Sequence, residues 1–175
     1  IVDPMKKILI HLLKPLSFLP AILMMYLIYS FSAQTGEVSG ALSYEVSYQI
    51  VETKNEVLNE NKTYDELAYS ASSIEFYVRK AAHMTEYCLL AIAISFPLYV
   101  YGVRGIWLIL LAGAICVGFA GFDEYHQSFV ADRGPSVRDV GIDSIGVFAG
   151  IIMMQFICFL GRITVFRPLA KKKKA

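Results

Sequence analysis

The sequence predicts an all-α polytopic membrane protein: four transmembrane helices, with an extracytoplasmic amphipathic helical insertion between the first and the second. Three observations lead there. Ile106 to Phe122 is an unbroken apolar run with no charge, and three further apolar stretches approach the same length. The 175 residues are 56% hydrophobic and 18% charged, with a mean hydropathy of +0.52, whereas soluble domains run to about 45–50% apolar and about 25% charged. Finally, the charges are segregated along the chain, although they sum to only +1.

A bilayer crossing takes about 20 apolar residues, which places the spans at about 12–31, 81–101, 106–123 and 140–160. The first follows a lysine-containing start and precedes the small residues of "SFSAQ", as a signal peptide would. Its length, and the interruptions at Pro15 and Pro20, favour a retained span. The "GVRG" stretch between the second and third spans is too short for anything but an antiparallel helical hairpin. Residues 1–4, before Met5, read as a remnant of expression, leaving 5–175 as a single membrane domain.

Between residues 32 and 78 acidic side chains dominate: Glu37, Glu45, Glu52, Glu56, Glu60, Asp65, Glu66 and Glu75 face only Lys54 and Lys62. Lys6, Lys7 and Lys14 lie at the start, with Arg162, Arg167 and Lys171 to Lys174 at the end. An even number of spans puts both termini on one side, and both are basic. The positive-inside rule makes that side the cytoplasm, and Arg104 in the short hairpin agrees. The basic tail is therefore a topology anchor rather than a nucleic-acid arm. Cys88, Cys116 and Cys158 fall inside apolar runs at spacings that fit no zinc pattern.

The external segment has its own pattern. Leu42, Val46, Ile50, Val57 and Leu58 recur at helical spacing among acidic residues, which predicts a helix over about 41–58 lying along the membrane surface. Thr63 to Glu66, "TYDE", is a capping box that opens a second helix running on into the second span.

Polar groups interrupt the spans at one level. Arg79, His83 and Glu86 lie on one helical stripe of "RKAAHMTEY". The third span ends in Asp123, Glu124, His126 and Gln127. The fourth opens with Asp139 and Asp143, in line with Gly146 and Gly150. An ionisable residue facing lipid costs about 2.5–3.5 kcal/mol on insertion scales, so these groups are expected to meet one another in a shared pocket. Arg79, Arg133 and Arg138 are the cations available to pair with the carboxylates, and Gly118, Gly121, Gly146, Gly150 and Ala114 offer small faces for close helix approach.

"RKAAHMTEY", followed by "DEYHQSFVADRGPSVRDVGIDSIGVFAG", resembles the VanZ-like family of bacterial membrane proteins. The family's pattern falls here on Arg79, Lys80, His83, Glu86, Tyr87, Asp123, Glu124, Gln127, Arg133, Asp139 and Asp143. "SFSAQTG" after the first span is similar to the family's opening, and the resemblance covers most of residues 16–160. Asp143 departs from the pattern, which more often has asparagine there, and so adds a carboxylate beside Asp139. The resemblance implies a protein of the bacterial cytoplasmic membrane with an envelope role, in a family associated with low-level teicoplanin resistance.

On that basis the residues of the pattern, together with Arg138, form the expected ligand-binding set, facing outside. The arginines and Lys80 would hold an anionic head group, because guanidinium matches phosphate bidentately. The partners implied are membrane lipids, and a cell-wall lipid intermediate or a lipoglycopeptide. The alternative is an enzyme acting on an envelope lipid, with Glu86, Asp123, Glu124, His83 and His126 as acid–base candidates or ligands of a divalent metal. A third reading is a structural or accessory role in which the network only locks helices together.

Overall fold

The computed structural model describes residues 14–162. Residues 1–4, expected to be a remnant of expression, Lys6 and Lys7, the first two residues of the expected first span, Arg167 and Lys171 to Lys174 lie outside them. Five α-helices follow one another: α1 (Leu19–Ser32), α2 (Gly36–Leu58), α3 (Tyr64–Val100), α4 (Ile106–Gln127) and α5 (Val137–Gly161). A short 3-10 turn, Pro15–Phe18, leads into α1. Four helical stretches are long and apolar enough to cross a membrane: Pro15–Ser32, Tyr64–Val100, Ile106–Gln127 and Val137–Gly161.

Pro15 and Pro20 do not break the first span. Each sits in the first turn of its helix, where the missing N–H has no intrahelical partner to lose. The expected capping box is present at α3: Thr63 N donates to Glu66 Oε2 at 2.8 Å, and Glu66 N to Thr63 Oγ1 at 3.4 Å. The turn before it uses Asn59 and Asn61 at positive φ, a region that asparagine tolerates. Asn55 Oδ1 accepts from Lys62 N at 3.0 Å and closes the turn. Beside it, the hydrogen bond from Lys62 holds the Glu60 carboxyl below its ordinary pKa.

With 37 residues, α3 is about 55 Å long at 1.5 Å per residue, well beyond a hydrocarbon core of about 30 Å. Its first half projects past the bundle, and α2 folds back along it. The Tyr48 and Tyr64 rings are 6.0 Å apart, and Gly40 faces Glu75. The expected helix is present, and it packs against α3. The face of α2 that is buried carries Ser47 and Val51, while Leu42, Val46, Ile50, Val57 and Leu58 stay exposed. Small residues along α2, Gly40 beside Glu75 and the buried Ser47, allow close pairing with α3.

The core lies where α3, α4 and α5 meet. Tyr87, Leu90, Ala91 and Ile94 of α3 pack with Leu108, Ala112, Cys116 and Ala120 of α4 and Val147 and Ile151 of α5. α1 adds Ala21 and Ile28. The crossing of α3 and α5 is close: a β-carbon on Gly146 would collide with the Met84 carbonyl, and one on Gly150 with that of Cys88. Small residues permit such approach where lipid supplies no hydrophobic drive. Gly118 and Gly121, expected to help, have no neighbour at the β-carbon position, and Ala114 is exposed.

At one end of the bundle the Phe18 and Tyr101 rings are 5.9 Å apart, and Gln155 Nε2 donates to the Gly105 carbonyl at 3.3 Å. Lys14, over the Tyr101 ring, and Arg104, over Tyr99, mark that end, where α5 finishes just before Arg162. The polar residues of the spans gather at the opposite end.

Candidate functional site

Six elements deliver side chains to the polar end: the C-terminus of α1, the first half of α2, the middle of α3, the last turn of α4, the 128–136 loop and the start of α5. The loop is fixed by the start of α2. Gly36 N donates to the Ala131 carbonyl at 3.0 Å, and a β-carbon on Gly36 would collide with the Asp132 carbonyl. Arg133 follows immediately, so this docking sets where its guanidinium reaches.

Arg133 comes within electrostatic range of Asp123, Glu124, Glu86 and Arg79. Burial pushes its pKa below the ordinary guanidinium value, and Asp123 pulls it back up. Arg79 donates from Nη2 to Glu75 Oε1 at 3.0 Å, and its Nε is buried without a hydrogen-bond partner. His83 Nδ1 lies 3.7 Å from Glu86 Oε2, too far for a hydrogen bond. Arg79, His83, Glu86 and Arg133 form the polar wall of a cavity of about 240 Å³. Phe31, Leu42 and Ala82 add apolar surface to it, and Gln34, Ser39 and Ser43 complete the lining.

Behind the cavity the charges are tied into the bundle. Gln127 Nε2 donates to Ser32 Oγ at 2.8 Å and to Asp123 Oδ2 at 3.2 Å, joining α4 to α1. The Tyr87 hydroxyl and Asp123 Oδ1 are buried without hydrogen-bond partners among the described residues. Tyr87 sits within electrostatic reach of Asp123, Asp143, Glu86 and Glu124. Glu124 Oε2 accepts from Ser136 N at 2.8 Å, and the Ser136 hydroxyl caps α5 by accepting from Asp139 N at 3.3 Å. Lys80 Nζ meets Asp139 Oδ2 at 2.6 Å and bridges α3 to α5.

The expected set therefore divides. Arg79, His83, Glu86 and Arg133 line the cavity; Tyr87, Asp123, Gln127 and the buried Asp143 stand behind it; Glu124, Lys80 and Asp139 hold the loop and α5. Arg138 does not join them: it is exposed, with its guanidinium 6.0 Å from the Phe76 ring. His126 turns toward α1, its ring 4.5 Å from that of Tyr29. Ser32, Gln34, Ser39 and Ser43 escaped the sequence reading. Uncharged residues carry no cost signal, and only the "SFSAQTG" stretch pointed toward the first two. Among the described residues no group of three or more His, Cys, Asp or Glu side chains is placed to hold a metal ion.

A helical bundle with four spanning segments, a polar network at one end and an arginine-lined cavity beside it defines a class of integral membrane protein. Residues 17–159 match the VanZ/LLP1 family. The chain belongs to that family, as the resemblance in "RKAAHMTEY" and "DEYHQSFVADRG" implied. Neither a curated protein nor a solved structure matches it.

Proposed function

We propose that this VanZ-like protein binds an anionic amphiphile in the Arg79–Arg133 cavity, at the outer leaflet of the bacterial cytoplasmic membrane. The ligand class is a lipid-linked envelope intermediate or a lipoglycopeptide, in keeping with the family's association with teicoplanin resistance. One observation carries the reading: two arginines from different elements line one cavity whose lining also includes Phe31, Leu42 and Ala82. They are close enough for Arg79 to lower the pKa of Arg133, as like charges do. An anionic oxygen between them relieves that repulsion and accepts charge-assisted hydrogen bonds. The apolar residues of the lining suit the first methylenes below such a head group. The outward orientation is supported by Lys14, Arg104 and Arg162 at the far end of the bundle.

The test compares Arg133→Gln, Glu86→Gln and Asp123→Asn with the parent protein. Glu86→Gln and Asp123→Asn conserve shape and much of the hydrogen bonding, and Arg133→Gln removes the cation. Each is expected to fold and to lose activity in a teicoplanin-tolerance assay, and Arg133→Gln to bind a phosphate-bearing lipid at least about tenfold more weakly, worth about 1.4 kcal/mol. Folded variants with full binding and full activity would reduce the network to a structural lock.

A catalytic reading has one observation behind it, the His83 and Glu86 pair side by side in the same cavity. Turnover of a bound lipid phosphate that disappears in His83→Gln, with binding intact, would favour it.

A further inference from the structure

We infer that the cavity holds only the head of its ligand, and that one acyl chain of the same molecule runs down a groove on α3. The inference rests on the binding reading above and extends it to the tail. A second cavity, of about 290 Å³, lies farther along α3. Leu89, Ile92, Ala93 and Phe96 of α3 form its floor. Ser17 and Pro20 ahead of and within α1, and Met154 of α5, complete its lining.

The two cavities share one helical face. Ala82 and Glu86 line the first, and Leu89, Ala93 and Phe96 the second. Their spacing of four, three, four and three residues keeps all five on a single stripe. The same face is covered by α2 in the outer half of α3, where Leu67 and Ala71 are buried. Beyond the start of α2 that cover ends, and Leu89 and Phe96 are 49% and 48% exposed.

From Ala82 to Phe96 the stripe runs about 21 Å at 1.5 Å per residue. Half of a hydrocarbon core is about 15 Å, so the track is long enough for a chain that crosses its leaflet. The first cavity has cations in its lining, and the floor of the second is apolar throughout. That polarity matches an anionic head above a hydrocarbon tail, whereas ordinary boundary lipid needs no such alignment. The arrangement also selects ligands: a soluble phosphate would use the arginines alone, and a neutral lipid the groove alone.

The experiment uses the full chain reconstituted in phosphatidylcholine vesicles containing phosphatidylglycerol with a photoactivatable diazirine near the end of one chain. Adducts are expected to concentrate on Leu89, Ile92, Ala93 and Phe96. Ala93→Trp, which fills the groove at a half-buried position, is expected to lower them about tenfold, an effect of about 1.4 kcal/mol. It should leave binding of water-soluble dihexanoyl phosphatidylglycerol unchanged. Arg133→Gln should lower both. Adducts scattered around the bundle, or unchanged by Ala93→Trp while Arg133→Gln still weakens the soluble probe, would overturn the tail groove and leave the head site standing. Soluble-probe binding unaffected by Arg133→Gln would overturn the head site, and the inference with it.

Discussion

Adjacent residues on a helix point about 100° apart, and at the polar end this geometry decides which candidate enters the network. Asp139 turns to Lys80 at 2.6 Å, so its neighbour Arg138 faces outward over Phe76. Gln127 reaches Ser32, so His126 packs on Tyr29. Residue type and insertion cost marked the right neighbourhoods in the sequence, but helical phase within each pair depends on the partner helix and was not legible. Arg133 on the loop and Arg138 on α5 therefore make an informative comparison. Arg133→Ala removes a cation from beside Asp123, Glu124 and Glu86. Stripping one partner from a fully buried pair costs about 3–5 kcal/mol. Arg133 is only half-buried, and solvent screening brings the expected loss to on the order of 1–2 kcal/mol. Adding Asp123→Asn should recover part of it, while Arg138→Ala should shift the melting temperature little. Thermal unfolding in detergent measures all three. Equal losses from Arg133→Ala and Arg138→Ala would remove Arg133 from the network.

At the level of elements, the spans were legible because length and hydropathy alone define them, and the start of α3 because a capping box is a local signal. The pairing of α2 was not. Its apolar stripe announced a face without naming the partner, and α3 instead took the small face bearing Ser47 and Val51. The glycines show the same limit. Gly146 and Gly150 continue the stripe of Asp139 and Asp143 on α5, so the face that presents carboxylates to α3 also admits its backbone. Gly118 and Gly121, equally small, meet nothing. Gly146→Ala is accordingly expected to force α3 and α5 apart and to destabilise by about 1–3 kcal/mol, as overpacking does. Gly118→Ala should be neutral or stabilising by about 0.5–1 kcal/mol, through the helix preference for alanine. Unfolding curves that fail to separate the two variants would contradict the close crossing.

For the molecule as a whole, function depends on which end faces out, and the charge distribution supplies the argument. Cytoplasmic flanks retain lysine and arginine. Here Lys14 and Arg104 stack on aromatic rings at one end of the bundle, and Arg162 follows α5 there. The α2–α3 hairpin at the other end carries Glu37, Glu45, Glu52, Glu56, Glu60, Asp65, Glu66 and Glu75 against Lys54 and Lys62. Inverting the chain would take that acidic hairpin into the cytoplasm and leave Lys14, Arg104 and Arg162 outside, against the rule at those three flanks. A cysteine placed at Val57, 72% exposed in the hairpin, is therefore expected to react with a membrane-impermeant maleimide on intact cells. One placed at Gly102, in the short turn between α3 and α4, should react only after permeabilisation. The native thiols Cys88, Cys116 and Cys158 lie within spanning helices and keep the background low. The reverse labelling pattern would put the Arg79–Arg133 cavity at the inner leaflet. Its ligand would then have to be a cytoplasmic-face lipid, and an antibiotic arriving from outside would be ruled out as its occupant.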